Sequence, residues 1–273
     1  MITLIPKRAF KFPIEGKNIT PDMFAEKSVK EIEALETYEG NRKRTLGDLF
    51  TVKNDNTASE EFTITINGDV HTVRNIGYEM TNGKIVVNGD VGMHIGEAMR
   101  GGTITVSGNA GSWAGSRMED GTIEIKGNAG DYIGAAYRGS TEGMSGGTVI
   151  IHGNAGHEVG CFMRKGLIKI LGNVGIFPGI HMRNGTIFVQ GNCAGRAGAQ
   201  MTNGKIVLAG PSEDVMPTFT IEEVKGKAKV DGEKIAGPFY KFTGDLADNG
   251  KGKLFVSKQH NPYLSMYDKY LEE

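Results

Sequence analysis

A methionine returns at fixed intervals along most of this chain. Met80, Met99 and Met118 lie 19 residues apart, as do Met144, Met163, Met182 and Met201, and one 26-residue step joins the two runs. A constant period of this size marks stacked repeats, in which no unit can bury its apolar face alone and each is completed by its neighbours. The full unit reads G-x-I-x-V-x-G-N-A-G-x-x-x-G-x-x-M-x-x. One glycine opens it (Gly83, Gly102, Gly121, Gly147, Gly166, Gly185 and Gly204), and a second closes the apolar segment six residues later. Between them aliphatics alternate, from Ile85/Val87 through Ile123/Ile125 to Ile206/Leu208, with a less regular forerunner at Ile64/Ile66. Alternation of this kind over a short run is the pattern of a half-buried strand.

The remainder of each unit carries no helical periodicity. Stacking every strand on its equivalent one repeat later gives parallel, in-register ladders, with glycines turning the corners. The predicted fold is therefore mainly β, a right-handed parallel β-helix (a solenoid with a 19-residue repeat) over residues 62–210. At ~4.8 Å per turn, seven or eight turns make a prism roughly 35 Å long. The residue after the closing glycine is Asp or Asn in the first six units (Asp90, Asn109, Asn128, Asn154, Asn173, Asn192), types that tolerate left-handed backbone and can form ladders along a stack. The seven repeat methionines read as structural core, because a flexible thioether fills irregular gaps.

Residues 1–61 and 211–273 lose the repeat and read as capping arms over otherwise unpaired strand edges. In the first, Thr20-Pro21 predicts the start of one helix, over about 21–37, with Met23, Phe24, Val29, Ile32 and Leu35 on its apolar face. The second arm carries Pro211, Pro217, Pro238 and Pro262 and most of the chain's clustered aromatics. Within the repeats, outward strand positions are polar early (Thr105/Ser107, Glu124/Lys126) and apolar later (Ile150, Leu171, Phe188, Val207). Such a stripe needs a cover, either a terminal arm or another protein.

The chemistry-bearing residues form no familiar site. With 31 basic and 32 acidic residues the net charge is −1, which gives no sustained nucleic-acid footprint; Arg42-Lys43-Arg44 and Lys225-Gly226-Lys227 read as solvated surface. No long apolar run and no cleavable leader occur, so the expectation is a cytoplasmic protein with no membrane partner. The spacing Gly108-x-x-Gly111-x-x-x-Gly115 recurs and opens no helix, which excludes a dinucleotide cradle. Cys161 and Cys193 belong to no Cys-x-x-Cys pair, and the six histidines show no zinc spacing. No catalytic, cofactor-binding or metal residue is assigned. A carbohydrate-active β-helix stays the lesser alternative, since it would need outer carboxylates aligned in neighbouring turns and these do not align. The break in the period is the best pointer to function. Seven extra residues between Gly134 and Gly147 include Tyr137, Arg138 and Glu142; insertions in repeats become loops on one face, and Tyr and Arg favour interface hot spots. The candidate interface is thus Tyr137, Arg138 and Glu142 with Ile150, Leu171, Phe188 and Val207, and Arg100, Arg164 and Arg183 form a possible basic strip beside the methionines.

The motif G-x-x-M-x-x-G-x-I-x-V-x-G, seen in Gly96-Glu-Ala-Met99-Arg-Gly-Gly102-Thr-Ile104-Thr-Val106-Ser-Gly108 and six sister copies, resembles the C subunit of formylmethanofuran dehydrogenase. The same repeat is found in the carboxy-terminal domain of the glutamate synthase large subunit. The resemblance covers about 77–210, and the arms match by length and general character. It implies a non-catalytic scaffold in a complex that reduces CO2 and attaches it to methanofuran as a formyl group, the first step of methanogenesis from CO2. It places no cofactor in this chain. It implies partner subunits that carry a tungsto- or molybdopterin, an amidohydrolase-type metal centre and, in ferredoxin-like polypeptides, iron–sulfur clusters. A related subunit occurs in bacterial formyltransferase/hydrolase complexes, which is the alternative setting.

Overall fold

The computed structural model describes residues 1–55 and 61–271; residues 56–60 of the first arm and 272–273 of the second lie outside the described residues. Eight parallel strands form the middle of the molecule: Thr63–Asn67, Lys84–Asn88, Arg100–Val106, Asp120–Ile125, Ser145–Ile151, Lys165–Ile170, Thr186–Val189 and Lys205–Leu208. They pair in sequence order and in register, so that Ile64, Ile85, Ile104, Ile123, Val149, Ile168, Ile187 and Ile206 form one line across the sheet. A second line of parallel bridges runs through Val70, Val91, Ala110 and Ala129, and resumes at Ala155, Val174, Cys193 and Ser212. Each repeat therefore returns the chain to its starting position one strand further on, in a long parallel sheet.

The 19-residue period has a packing cause. All seven repeat methionines are fully buried. The Met80 methyl lies 2.5 Å from the point where a Cβ on Gly102 would sit, and Met99 stands in the same relation to Gly121 at 2.7 Å. Each methionine thus fills space left vacant not by the opening glycine three residues after it but by the equivalent glycine one repeat further on. Gly96, at φ +63°, makes room in the same way for Ile123, whose Cδ1 would collide with an added Cβ. Either glycine changed to alanine would meet both a steric conflict and a left-handed backbone.

Glycine does not turn every corner. His94, Trp113, Tyr132, Glu158, Phe177 and Arg196 occupy equivalent positions and are all left-handed, with φ between 53° and 63°. That conformation is unfavourable for bulky residues. It is held by repeated backbone bonds to the next repeat, as from the Trp113 N–H to Asp131 O and from the Tyr132 N–H to His157 O, at 2.9 and 2.8 Å. The Asx positions form a ladder of side chain on backbone. Asn109, Asn128, Asn154, Asn173 and Asn192 each donate their backbone N–H to the Oδ1 of the preceding member, at 2.7 to 2.9 Å.

Both ends of the parallel run are continued by the arms. Ile2–Pro6 adds a parallel strand beside Thr63–Asn67 and is closed by antiparallel Phe50–Asn54. Gly252–Ser257 adds one beside Lys205–Leu208, followed by the antiparallel strands Glu233–Gly244 and Thr220–Val230. The sheet so formed has thirteen strands among the described residues and passes the expected boundaries at 61 and 210. The single helix expected over 21–37 is corrected to two short ones, Pro21–Phe24 and Val29–Glu33. Ser28 breaks it: its hydroxyl accepts from the Glu31 N–H while the Glu31 carboxylate accepts from the Ser28 N–H, a capping box that requires extended backbone at Ser28. Glu36–Glu39 is already a strand, and a third short helix follows at Leu46–Leu49.

Candidate functional site

The long repeat departs from the stack at Gly134 and rejoins it at Met144, whose N–H donates to Gly134 O at 2.9 Å. The loop between them is pinned at its neck, and Tyr137 and Arg138 lie at its exposed tip. It folds onto an aromatic column. His94, Trp113 and Tyr132 sit one above another, with centroids 5.3 and 4.5 Å apart and rings within 13° of parallel. The Tyr137 ring leans on this column at 5.5 Å from His94 and 5.7 Å from Trp113, and the Arg138 guanidinium lies 5.7 Å from the Trp113 ring centre. A second stack, Phe162 on His181 at 4.4 Å, carries Arg183 at 5.9 Å. Between the loop and the stack is a cavity of about 210 Å³, walled by Trp113, Tyr132, Tyr137, Arg138, Glu158 and Phe162. Exposed Tyr and Arg over buried Trp is the composition of an interface hot spot.

Next to the column lies a buried carboxylate. Glu97 is 8% exposed; its Oε1 pairs with Arg117 Nη2 at 2.6 Å and its Oε2 accepts from Asn75 Nδ2 at 2.8 Å. His94 Nδ1 comes within 3.1 Å of the same oxygen. Burial alone would raise the Glu97 carboxyl, but His94 and Arg117 outweigh it and hold the group below the usual carboxylate value. The network fixes the first member of the column from behind.

The structure separates the seven candidate interface residues into two groups. Tyr137, Arg138 and Glu142 share the exposed loop, where Glu142 approaches Arg164 at 3.9 Å. Of the apolar stripe, Phe188 and Val207 are buried, at 5% and 0% exposure, in a second core with Leu167, Ala228, Val230 and Phe239. Leu171 packs against that core, and Ile150 stays half-buried outside it. The cover is the chain's own hairpin, Thr220–Val230 with Glu233–Gly244. Phe188 and Val207 are therefore corrected from partner-facing to internally covered. The long side chains Lys169 and Lys205 reach over the stripe to Glu233 and to Lys229 O, at 2.9 and 2.8 Å. Of the expected basic strip, Arg100 and Arg164 face Glu119 and Glu142 and Arg183 lies on Phe162.

Cys161 and Cys193 are free and buried. Burial pushes their thiols up to about 12 and about 11, which keeps both protonated and weakly nucleophilic. Among the described residues no group of three or more His, Cys, Asp or Glu is placed to hold a metal ion, and no helix is long and apolar enough to cross a membrane. Sequence reasoning misses the aromatic column, although its members recur 19 residues apart, because three different residue types conceal the period.

No family model matches the chain. The C subunit of the tungsten-containing formylmethanofuran dehydrogenase 2 of Methanothermobacter thermautotrophicus is 58% identical to it over 265 residues, 96% of this chain and 98% of that protein. The chain belongs to the C-subunit family of formylmethanofuran dehydrogenases. The family likeness takes in both arms as well as the repeats. The corresponding tungsten-containing enzyme's C subunit from Methanococcus maripaludis matches at 48% over 92% of this chain and 94% of its own length. Its counterpart in the molybdenum-containing enzyme of Methanothermobacter marburgensis matches at 44% over 93 residues, 34% of this chain and 23% of that one; the aligned part is less than a quarter of that relative. Among solved structures, a chain of the formyltransferase/hydrolase complex (FhcABCD) from Methylorubrum extorquens, in complex with methylofuran, superposes with a TM-score of 0.83 at 33% identity. It covers 93% of this chain and 99% of that one.

Proposed function

We propose that this chain is the non-catalytic scaffold of a cytoplasmic formylmethanofuran dehydrogenase, with its repeats wound as a right-handed parallel β-helix. The complex reduces CO2 with ferredoxin-type electrons and transfers it to methanofuran as N-formylmethanofuran. The observation that carries the reading is the near full-length likeness to the C subunits of tungsten-containing enzymes, which also favours tungsten over molybdenum for the partner pterin. The partners are a pterin-binding redox subunit, an amidohydrolase-like subunit and ferredoxin-like subunits, which hold the metal centres and iron–sulfur clusters. The chain's own buried thiols do not fit such groups.

The scaffold acts by rigidity. Formate made at one centre must reach the next before it escapes, and fixed placement of two sites raises the effective concentration at the second. A sheet tied by in-register ladders on two sides supplies that fixed distance. The Tyr137/Arg138 loop presents one docking face. Native anaerobic purification with subunit mass spectrometry and metal analysis is the test. A complex containing tungsten pterin is the expected result, and a lone active monomer would sink the reading. The Methylorubrum structure supports a second setting, a formyltransferase/hydrolase complex; partners of that kind with neither tungsten nor molybdenum would select it.

A further inference from the structure

A separate four-stranded sheet, with strands Arg42–Thr45, Glu36–Glu39, Ile14–Glu15 and Val73–Arg74 in that order, carries a concentration of positive charge in a chain whose net charge is −1. A cleft of about 300 Å³ is lined by Arg8, Lys11, Arg42 and Arg44, with Phe12 at its rim and Glu39 beneath. Two segments distant in sequence meet here because Ile14 pairs with Glu39 and Glu39 with Arg42. Glu39 is 4% exposed. Its Oε2 accepts from Arg8 Nη2 at 2.7 Å and lies 3.5 Å from Arg44 Nε. The hydrogen bond from Arg8 overrides desolvation and holds the Glu39 carboxyl below its ordinary value. One carboxylate therefore sets two guanidinium groups side by side, and among the described residues each has donors beyond the one that Glu39 engages.

Four cations face that single carboxylate. Planar guanidinium forks match further carboxylates in bidentate fashion. Phe12 stands beside them at 51% exposure, and an exposed ring next to arginine is characteristic of protein interfaces. A nucleic acid would need the basic surface to continue as a track. It stops here instead: the adjoining Lys43 is paired with Glu36 at 2.6 Å.

We infer that this cleft receives an acidic segment of a partner polypeptide when the complex assembles. The inference rests on the subunit reading above and adds a second docking face, remote in sequence from the Tyr137 loop. The test uses the full chain assembled with its partner subunits. Carbodiimide coupling, which joins amines directly to carboxylates, is expected to link Lys11 to an Asp or Glu of a partner. The double variant Lys11→Glu/Arg42→Glu leaves Glu39, Arg8 and Arg44 in place. It is expected to weaken assembly about tenfold at low salt and to flatten its salt dependence, while the isolated chain melts as the wild type does. The milder Lys11→Gln/Arg42→Gln pair gives the same direction of effect should the reversal disturb folding. Assembly of both double variants with unchanged affinity overturns the cleft and leaves the subunit reading standing. A wild-type chain that assembles with nothing sinks both. Binding of polyphosphate by the isolated chain, without a carboxylate cross-link in the complex, would assign the cleft to phosphate and overturn the inference.

Discussion

The outward faces of the early and late repeats share one backbone and carry opposite surfaces. In the strands Arg100–Val106 and Asp120–Ile125 the outward residues are Thr105 and Glu124, half-buried and solvated, and Glu124 is paired with Lys126 and His152. In Thr186–Val189 and Lys205–Leu208 the same register positions hold Phe188 and Val207, covered by Ala228, Val230 and Phe239. Exposed ion pairs contribute about 0–1 kcal/mol each, whereas full burial of a large apolar side chain contributes about 1.5–3 kcal/mol. Inward residues thus decide that the repeats stack, and outward residues decide what lies on the stack.

The largest effect that separates inner from outer positions is expected at Ile123→Asp, which places a charge in the fully buried line. Its expected outcome is loss of the cooperative thermal transition; a soluble variant with an unchanged Tm would break the inner assignment. Next, Phe188→Ala should cost about 3–5 kcal/mol in denaturant unfolding. Its early counterpart Thr105→Ala should stay within about 0.5 kcal/mol. Equal effects at these two positions would mean that the hairpin covers nothing of energetic consequence.

The smallest effect concerns the root of the hairpin. Burial would raise the Glu222 carboxyl, but Lys241, Lys253 and Thr243 hold it down at about 2. A depressed folded-state value means a contribution present above the ordinary carboxylate value of 4.5 and lost as the pH falls towards about 2. Hydrogen exchange in 220–244 should therefore accelerate across that window before the repeat strands respond, and Glu222→Gln should remove the dependence. Simultaneous loosening of hairpin and repeats would show that the cover is not a separate unit.

The eight parallel strands were legible because each carries its own alternation and glycine boundaries, repeated until chance is excluded. The strand Gly252–Ser257 carries the same signal, Gly252-Lys-Leu-Phe-Val, but falls outside the period because a hairpin intervenes. Ile2–Pro6 joins the sheet with no glycine to announce it. At the candidate site, Tyr137 and Arg138 stood out as an interruption of the repeat. The column they lean on did not, since His94, Trp113 and Tyr132 share a repeat position but no single residue type. The apolarity of Phe188 and Val207 was readable; that the chain would supply its own cover was not. Glu39 gathers Arg8 and Arg44 only through strand pairing, so Arg42-Lys43-Arg44 read alone as solvated surface.

Met201 meets Gly252 as each earlier methionine meets the glycine that opens the strand beyond the next one, its methyl occupying the place an added Cβ would take. The final turn is thus closed by residues made some fifty positions later, after the whole hairpin has been synthesised. On the ribosome, the strand Lys205–Leu208 keeps a bare edge until the strand Gly252–Ser257 has emerged. A message cut short before codon 252 would yield a stack with an open end, prone to pair with its own kind. Completion of the parallel run is therefore a matter of reach along the chain: only a chain translated past the hairpin can finish its own sheet.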